Sequence, residues 1–251
     1  MTNPLRRKKL SVQAGDYVSD SSKMLTACLS AAGSTSSFQE IYATSLSADV
    51  VLKNLSSPAL RPRLVAARSI VLRIPMLAGL GQASLGAAEM RRFVELTLWT
   101  VYFTDHPVEW RSFGQGGFSR DVRKPISYAA RRELTHYFDY ARELMSAEPS
   151  GLGTKAIDMM KQLTQDLNAA VHPGELAQSV RRIPPHEEVS DAALRRFNRL
   201  QQPVFANCCL LLAAYRRREF DRFNAAARAH FDRLVGPTLR RAVRRGPFGL
   251  V

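Results

Sequence analysis

The sequence predicts an all-α fold, and three observations carry that prediction. Apolar residues recur at three- and four-residue spacing from Phe38 onward, alternating runs of β-branched residues are absent, and Pro- and Gly-bearing stretches separate the periodic segments. The 251 residues are 45% hydrophobic and 23% charged. That is enough to bury a sizeable core, and it excludes a disordered, collagen-like or disulfide-stapled chain. The longest weakly polar stretch, Ile70–Ala88, is interrupted by Arg73 and Pro75, and Ala206–Tyr215 is too short for a bilayer. No membrane span is therefore predicted.

Residues 1–37 are polar and serine-rich and read as a partly flexible segment with one short helix around Lys23–Ala32. Residues 38–235 read as a single helical-bundle domain and 236–251 as a basic tail. Within the domain, Phe38–Leu55 is a helix ending before Ser56-Ser57-Pro58, and Leu60–Leu80 is a second, kinked at Pro75. Ala87–Phe103 is the central helix, with Met90, Phe93, Val94, Thr97, Leu98, Val101 and Tyr102 on one stripe. Residues 105–125 read as a long loop. Ser127–Ser146 and Thr154–Val171 resume the helical pattern, the latter stopped by His172-Pro173-Gly174, since proline disfavours helical geometry in the residue before it. After a loop holding Ile183-Pro184-Pro185, one long helical pattern runs from Ser190 toward Leu234, bent or broken at Pro203. The expected core gathers Phe93, Leu98, Tyr137, Leu163, Leu167, Leu200 and Leu211.

Charge points to a partner. Lys and Arg number 36 against 22 Asp and Glu, a formal net charge of +14. Residues 1–9 contribute +4, residues 195–251 contribute +10 through 13 arginines against three acids, and residues 10–194 sum to zero with 19 of each sign. A neutral body with a basic C-terminal quarter suits a polyanion. Arg195, Arg196, Arg199, Arg216, Arg217, Arg218, Arg222, Arg240, Arg241, Arg244 and Arg245 outline the expected nucleic-acid-binding surface, because the planar guanidinium holds two phosphate oxygens at once. The interleaved Phe197, Tyr215, Phe220 and Phe223 lie on the apolar stripe and read as core.

Cys28, Cys208 and Cys209 offer no disulfide framework, which suits a reducing compartment. The basic N-terminus lacks the apolar core and cleavage site of a leader, so a cytoplasmic location is expected. The five histidines, at 106, 136, 172, 186 and 230, show no metal-ligand spacing, and neither a hydrolase elbow nor a phosphate loop is present. No metal or cofactor is expected.

One segment has the makings of acid–base chemistry. Asn168 and His172 are four apart and share a helix face at the C-terminal end of their helix. An imidazole at an irregular helix end can reorient, as a general acid or base must. The ordinary alternative is a histidine capping the last carbonyls. On the central helix, Arg91 and Arg92 stand four and three residues before Glu95, the spacing of an intrahelical ion pair.

The order Glu89-Met90-Arg91-Arg92-Phe93-Val94-Glu95-Leu96, followed downstream by Leu167-Asn168-Ala169-Ala170-Val171-His172-Pro173-Gly174, resembles the HEPN superfamily across about residues 40–220. The resemblance implies a helical bundle, a homodimer, and membership of a bacterial phage-defence or toxin system, with metal-independent endoribonuclease activity on RNA. It implies His172 as acid–base group on a ribose 2′-hydroxyl, with Asn168, Arg91 and Arg92 holding the phosphate and Glu95 on the same helix as the two arginines. Cleaving members carry an arginine shortly before the histidine; the positions that would hold it are Gln165, Asp166 and Leu167. Arg131 and His136 have the spacing and stand as the runner-up, although five residues of regular helix rotate the two side chains about 140° apart. Arg181 and His186 also have it, but Pro184 and Pro185 between them exclude a helical motif. Two functions stand open: this nuclease, and a non-catalytic helical adaptor that assembles with a protein or nucleic-acid partner through its arginine surface.

Overall fold

Thr35 starts the first long helix. Its hydroxyl oxygen accepts the backbone N–H of Phe38 at 3.2 Å, and it donates to the Ala32 carbonyl at 2.8 Å. An N-terminal cap of this kind satisfies a donor that the helix itself leaves open. In the computed structural model the described residues are 23, 26, 29, 30, 32–55, 57, 58, 60–107, 126–146, 152–171 and 190–245. Among them no strand occurs, and the fold is all-α.

Eight helices form the described part of the chain: α1 (Ser36–Asn54), α2 (Arg61–Gly79), α3 (Ala83–Asp105), α4 (Ile126–Ser146), α5 (Leu152–Val171), α6 (Asp191–Tyr215), the short α7 (Arg217–Asp221) and α8 (Ala225–Arg245). The described members of the Lys23–Ala32 segment are helical too. The central helix is longer than its apolar stripe suggested, extending four residues earlier and two later.

The breaks fall differently from the expectation. α2 continues through Pro75, and α6 through Pro203. The long pattern from Ser190 to Leu234 instead breaks at Arg216 and again at 222–224, giving three helices. α8 turns sharply at Gly236, whose φ of 72° is a left-handed conformation that glycine adopts without steric cost. Residues 108–125 and 172–189, including the expected loops, lie outside the described residues.

Cross-helix pairs give the directions. Glu40 meets Asn198, and Ile41 and Ser45 meet Gln201, so α1 and α6 run parallel. Gly86 lies under Phe197, Phe93 packs edge-on to Phe205, and Asp105 meets Tyr215, so α3 runs parallel to them. Arg73 reaches Glu89 while Arg63 reaches Thr100 and Thr104, so α2 runs the opposite way. α3 is the hub, packed against α2, α4, α5 and α6. One core contains Phe93, Leu98, Tyr137, Leu163, Leu167 and Leu211, with Leu200 packed against it.

Candidate functional site

These directions bring five chain segments to one end of the bundle: the C-termini of α1, α3 and α6, the N-terminus of α2, and α7. The sequence of α3 ends Trp99-Thr100-Val101-Tyr102-Phe103-Thr104-Asp105-His106, and its last turn organises this end. Asp105 accepts two phenol hydrogen bonds, from Tyr140 of α4 to Oδ2 and from Tyr215 of α6 to Oδ1, each 2.6 Å. Both carboxylate oxygens are therefore engaged, and three helices are tied at one point. Burial, and then the Asp105 carboxylate, push both phenols well above the usual tyrosine range. The two phenols stay protonated and keep donating.

Aromatic rings surround this knot. His106 stacks on Tyr102 with centroids 4.1 Å apart, and its Nδ1 lies 2.9 Å from the Tyr102 carbonyl. A carbonyl only accepts, so Nδ1–H donates and Nε2 is left as the ring's other proton site. His136 meets Tyr102 edge-on at 5.2 Å, and Tyr140 meets it at 5.1 Å. Two imidazoles thus flank one tyrosine, with His136 exposed and His106 half-buried. Below them, the buried Arg63 of α2 donates to Thr104 Oγ1 at 3.1 Å and to the Thr100 carbonyl at 3.3 Å, closing the last turn of α3. Burial lowers the pKa of Arg63, partly offset by Tyr215.

The arginines divide into paired and unpaired groups. Arg195 is held by Asp191, Arg216 by Glu219, and Arg217 by Asp221 at 2.9 Å, with Arg217 also over the Phe220 ring at 5.8 Å. Hydrogen bonding from Ser37, and then Arg195, holds the Asp191 carboxyl below the usual carboxylate range. Arg196, Arg199, Arg218 and Arg222 are exposed, and no ion pair holds them among the described residues. Among the described residues, the arginines expected to outline one surface thus fall into two separate groups. Residues 204–214 of α6 are buried except for the half-buried Asn207, so about 24 Å of helix rise separates Arg199 from Tyr215. Arg196 and Arg199 sit at one end of the bundle; Arg218 and Arg222, four apart beyond Tyr215, sit at the other. The side chains of Arg240, Arg241, Arg244 and Arg245 lie outside the described residues.

The residues singled out with His172 are placed in part. His172, Arg181 and His186 lie outside the described residues, as does the Arg131 side chain. α3 and α5 pack together, yet no hydrogen bond joins Asn168 to Arg91, Arg92 or Glu95; the Asn168 Oδ1 is buried and has no partner among the described residues. Arg91 donates to Glu95 at 2.9 Å, as the four-residue spacing implies. Arg92 does not share Glu95. It turns back to Glu89 at 3.4 Å, where Arg73 of α2 also donates at 2.8 Å. Glu89 thereby ties α2 to α3, and Glu95 is already occupied by Arg91.

Sequence reasoning missed Asp105, His106, Tyr140 and Tyr215 as a group. Tyr140 and Tyr215 are 35 and 110 residues from Asp105, so only the fold unites them. No family model, curated protein or solved structure matches this chain.

Proposed function

We propose that the chain is a nucleic-acid-associated helical protein that meets RNA or another nucleic acid at the end of the bundle formed by α7 and the C-termini of α3 and α6. The observation that carries this reading is the pair Arg218 and Arg222, exposed, without an ion pair among the described residues, and one helical turn apart beside the Tyr215–Asp105–Tyr140 knot. The neighbouring Arg216 and Arg217 are neutralised by Glu219 and Asp221, so Arg218 and Arg222 are the guanidinium groups that α7 and its C-cap leave to receive phosphate. The HEPN resemblance supports the same class of partner. Fluorescence anisotropy with a labelled single-stranded RNA tests it: the Arg218→Ala/Arg222→Ala variant should bind at least tenfold more weakly, and equal binding by variant and wild type would count against the interface.

A second reading, metal-independent RNA cleavage, is favoured by one further observation: two imidazoles flank Tyr102 at the same end. In that reading one imidazole takes the ribose 2′-hydroxyl proton and the other supplies a proton to the leaving oxygen. The adaptor is what remains if binding persists and no cleavage is found.

A further inference from the structure

The sum of charges over residues 10–194 conceals a local excess. Residues 50–88 contain Lys53, Arg61, Arg63, Arg68 and Arg73 and not one acid. Three of these cations have partners elsewhere: Arg63 on α3, Arg68 on Asp49 at 2.7 and 3.3 Å, and Arg73 on Glu89. Lys53 and Arg61 have none among the described residues, and both are exposed.

These two cations face the same space. Where the end of α1 turns into α2, an open pocket of about 580 Å³ is lined by Lys53, Ser57, Pro58, Arg61, Leu64, Val65 and Arg68. That volume lies within the range of small-ligand sites. The lining separates by chemistry. Leu64, Val65 and Pro58 supply an apolar wall, Lys53, Arg61 and Arg68 supply charge, and the Ser57 hydroxyl is buried with no hydrogen-bond partner among the described residues. A buried hydroxyl without a partner costs free energy that a ligand oxygen would recover. Asp49 cancels the Arg68 charge, leaving a local charge of +2 from Lys53 and Arg61. Arg61 and Arg63 are two residues apart, about 200° around the helix, so one can serve this pocket while the other closes α3.

We infer that the α1–α2 pocket binds a phosphate monoester, its dianion held by Lys53, Arg61 and the Ser57 hydroxyl and its organic part lying against Leu64, Val65 and Pro58. A monoester matches better than a phosphodiester because its charge at neutral pH approaches −2, equal and opposite to the local +2. The monoester can belong to a small molecule or to the phosphorylated end of a nucleic acid. Both carry the same headgroup.

Calorimetry on the full chain at low ionic strength tests the assignment, with phenyl phosphate as the small probe and an oligonucleotide with or without a 5′-phosphate as the long one. Lys53 and Arg61 are exposed, so Lys53→Ala/Arg61→Ala should fold normally, which circular dichroism verifies. Saturable phenyl phosphate binding, weakened at least tenfold in the double variant and by Ser57→Ala to a lesser degree, supports the pocket with a small-molecule source. A preference for the 5′-phosphorylated oligonucleotide that disappears in the double variant supports it with a nucleic-acid end as the source. No saturable binding of either probe, binding unchanged in the double variant, or equal binding of diphenyl phosphate overturns it. The Arg218 and Arg222 experiment is independent, so either proposal can fail alone.

Discussion

The phenol of Tyr215 donates a 2.6 Å hydrogen bond to Asp105, joining the last residue of α6 to the last residue of α3. With Tyr140 on the other oxygen, this carboxylate fixes how three helix ends stand to one another. A hydrogen bond to a charged group contributes about 1.5–3 kcal/mol when shielded, less where water reaches it, as at the exposed Asp105. Tyr215→Phe should therefore cost about 1–2 kcal/mol of unfolding free energy, read from urea midpoints at unchanged slope. Asp105→Ala should cost more than either tyrosine variant, since it orphans both phenols. Additive losses in the Tyr140→Phe/Tyr215→Phe double variant would show that the two bonds act independently rather than through a shared carboxylate.

Alkaline stability follows from four acids in the fold. Burial pushes the Cys208 thiol up to about 12 and the Cys209 thiol well above its ordinary value, and both phenols of the Asp105 knot are raised as well. Each raised group holds its proton more tightly folded than unfolded. Their contribution is complete below the unfolded values of 9.0 for thiols and 10.0 for phenols, and it is lost as pH rises. Urea midpoints should be level to about pH 8.5 and fall steadily above it. A flat profile to pH 11 would contradict the burial of these groups. Consistent with the same burial, peptide mapping after iodoacetamide at pH 8 should leave Cys208 and Cys209 unmodified in the native protein.

The helices and the core were legible because each helix has one dry face, and apolar spacing reports a dry face directly. The polar knot was not, because its members obey no spacing rule: Asp105 and His106 sit at a helix end, where sequence patterns stop. Arg92 shows the limit within one helix. Spacing allowed a bond to Glu95, but the choice of Glu89 depends on Arg91 holding Glu95 and on Arg73 arriving from α2. The split of the arginine surface was equally hidden, since periodicity marks the apolar face of α6 without saying how much of its circumference is covered. The cations of residues 50–88 were visible in the sequence and were lost by summing charge over too long a window.

Glycines test the packing and the backbone separately. A Cβ at Gly86 would stand 2.5 Å from a ring carbon of the buried Phe197, where α3 and α6 approach closely. Gly86→Ala should destabilise by about 1–3 kcal/mol through overpacking, although alanine is the better helix former by about 1 kcal/mol. A Cβ at Gly236 meets nothing within 4 Å, but φ there is 72°. Gly236→Ala should cost about 1–2 kcal/mol through the left-handed backbone alone. A neutral Gly86→Ala would mean that the Phe197 ring has room to move.

Salt dependence separates the two arginine groups. Counterion release makes affinity for a polyanion fall steeply between about 50 and 200 mM salt, in proportion to the phosphates neutralised. Removing Arg218 and Arg222 should flatten the slope by about two contacts and weaken all sequences alike. Removing Arg196 and Arg199, at the far end of α6, should leave both affinity and slope near wild type. If the far pair has the larger effect, the interface lies at the opposite end of the bundle.

Three histidine variants locate any RNA cleavage. With a chelator in excess, the wild-type chain should still cut single-stranded RNA, because the sequence offers no metal-ligand spacing. Imidazole acid–base groups are each worth roughly two to four decades in rate. His136→Ala and His106→Ala should each show a loss of that size if the pair around Tyr102 transfers the protons, and His172→Ala should then remain near wild type. The opposite pattern, with the loss confined to His172→Ala, would return the chemistry to the position implied by the HEPN resemblance and leave His106 and His136 as packing for Tyr102. Phenylalanine at Tyr102 provides a control for that packing: it keeps the ring on which His106 stacks, so a large loss there would trace to the Tyr102 hydroxyl rather than to the stack. If no variant and no wild-type sample cuts RNA while binding through Arg218 and Arg222 persists, the chain is the adaptor.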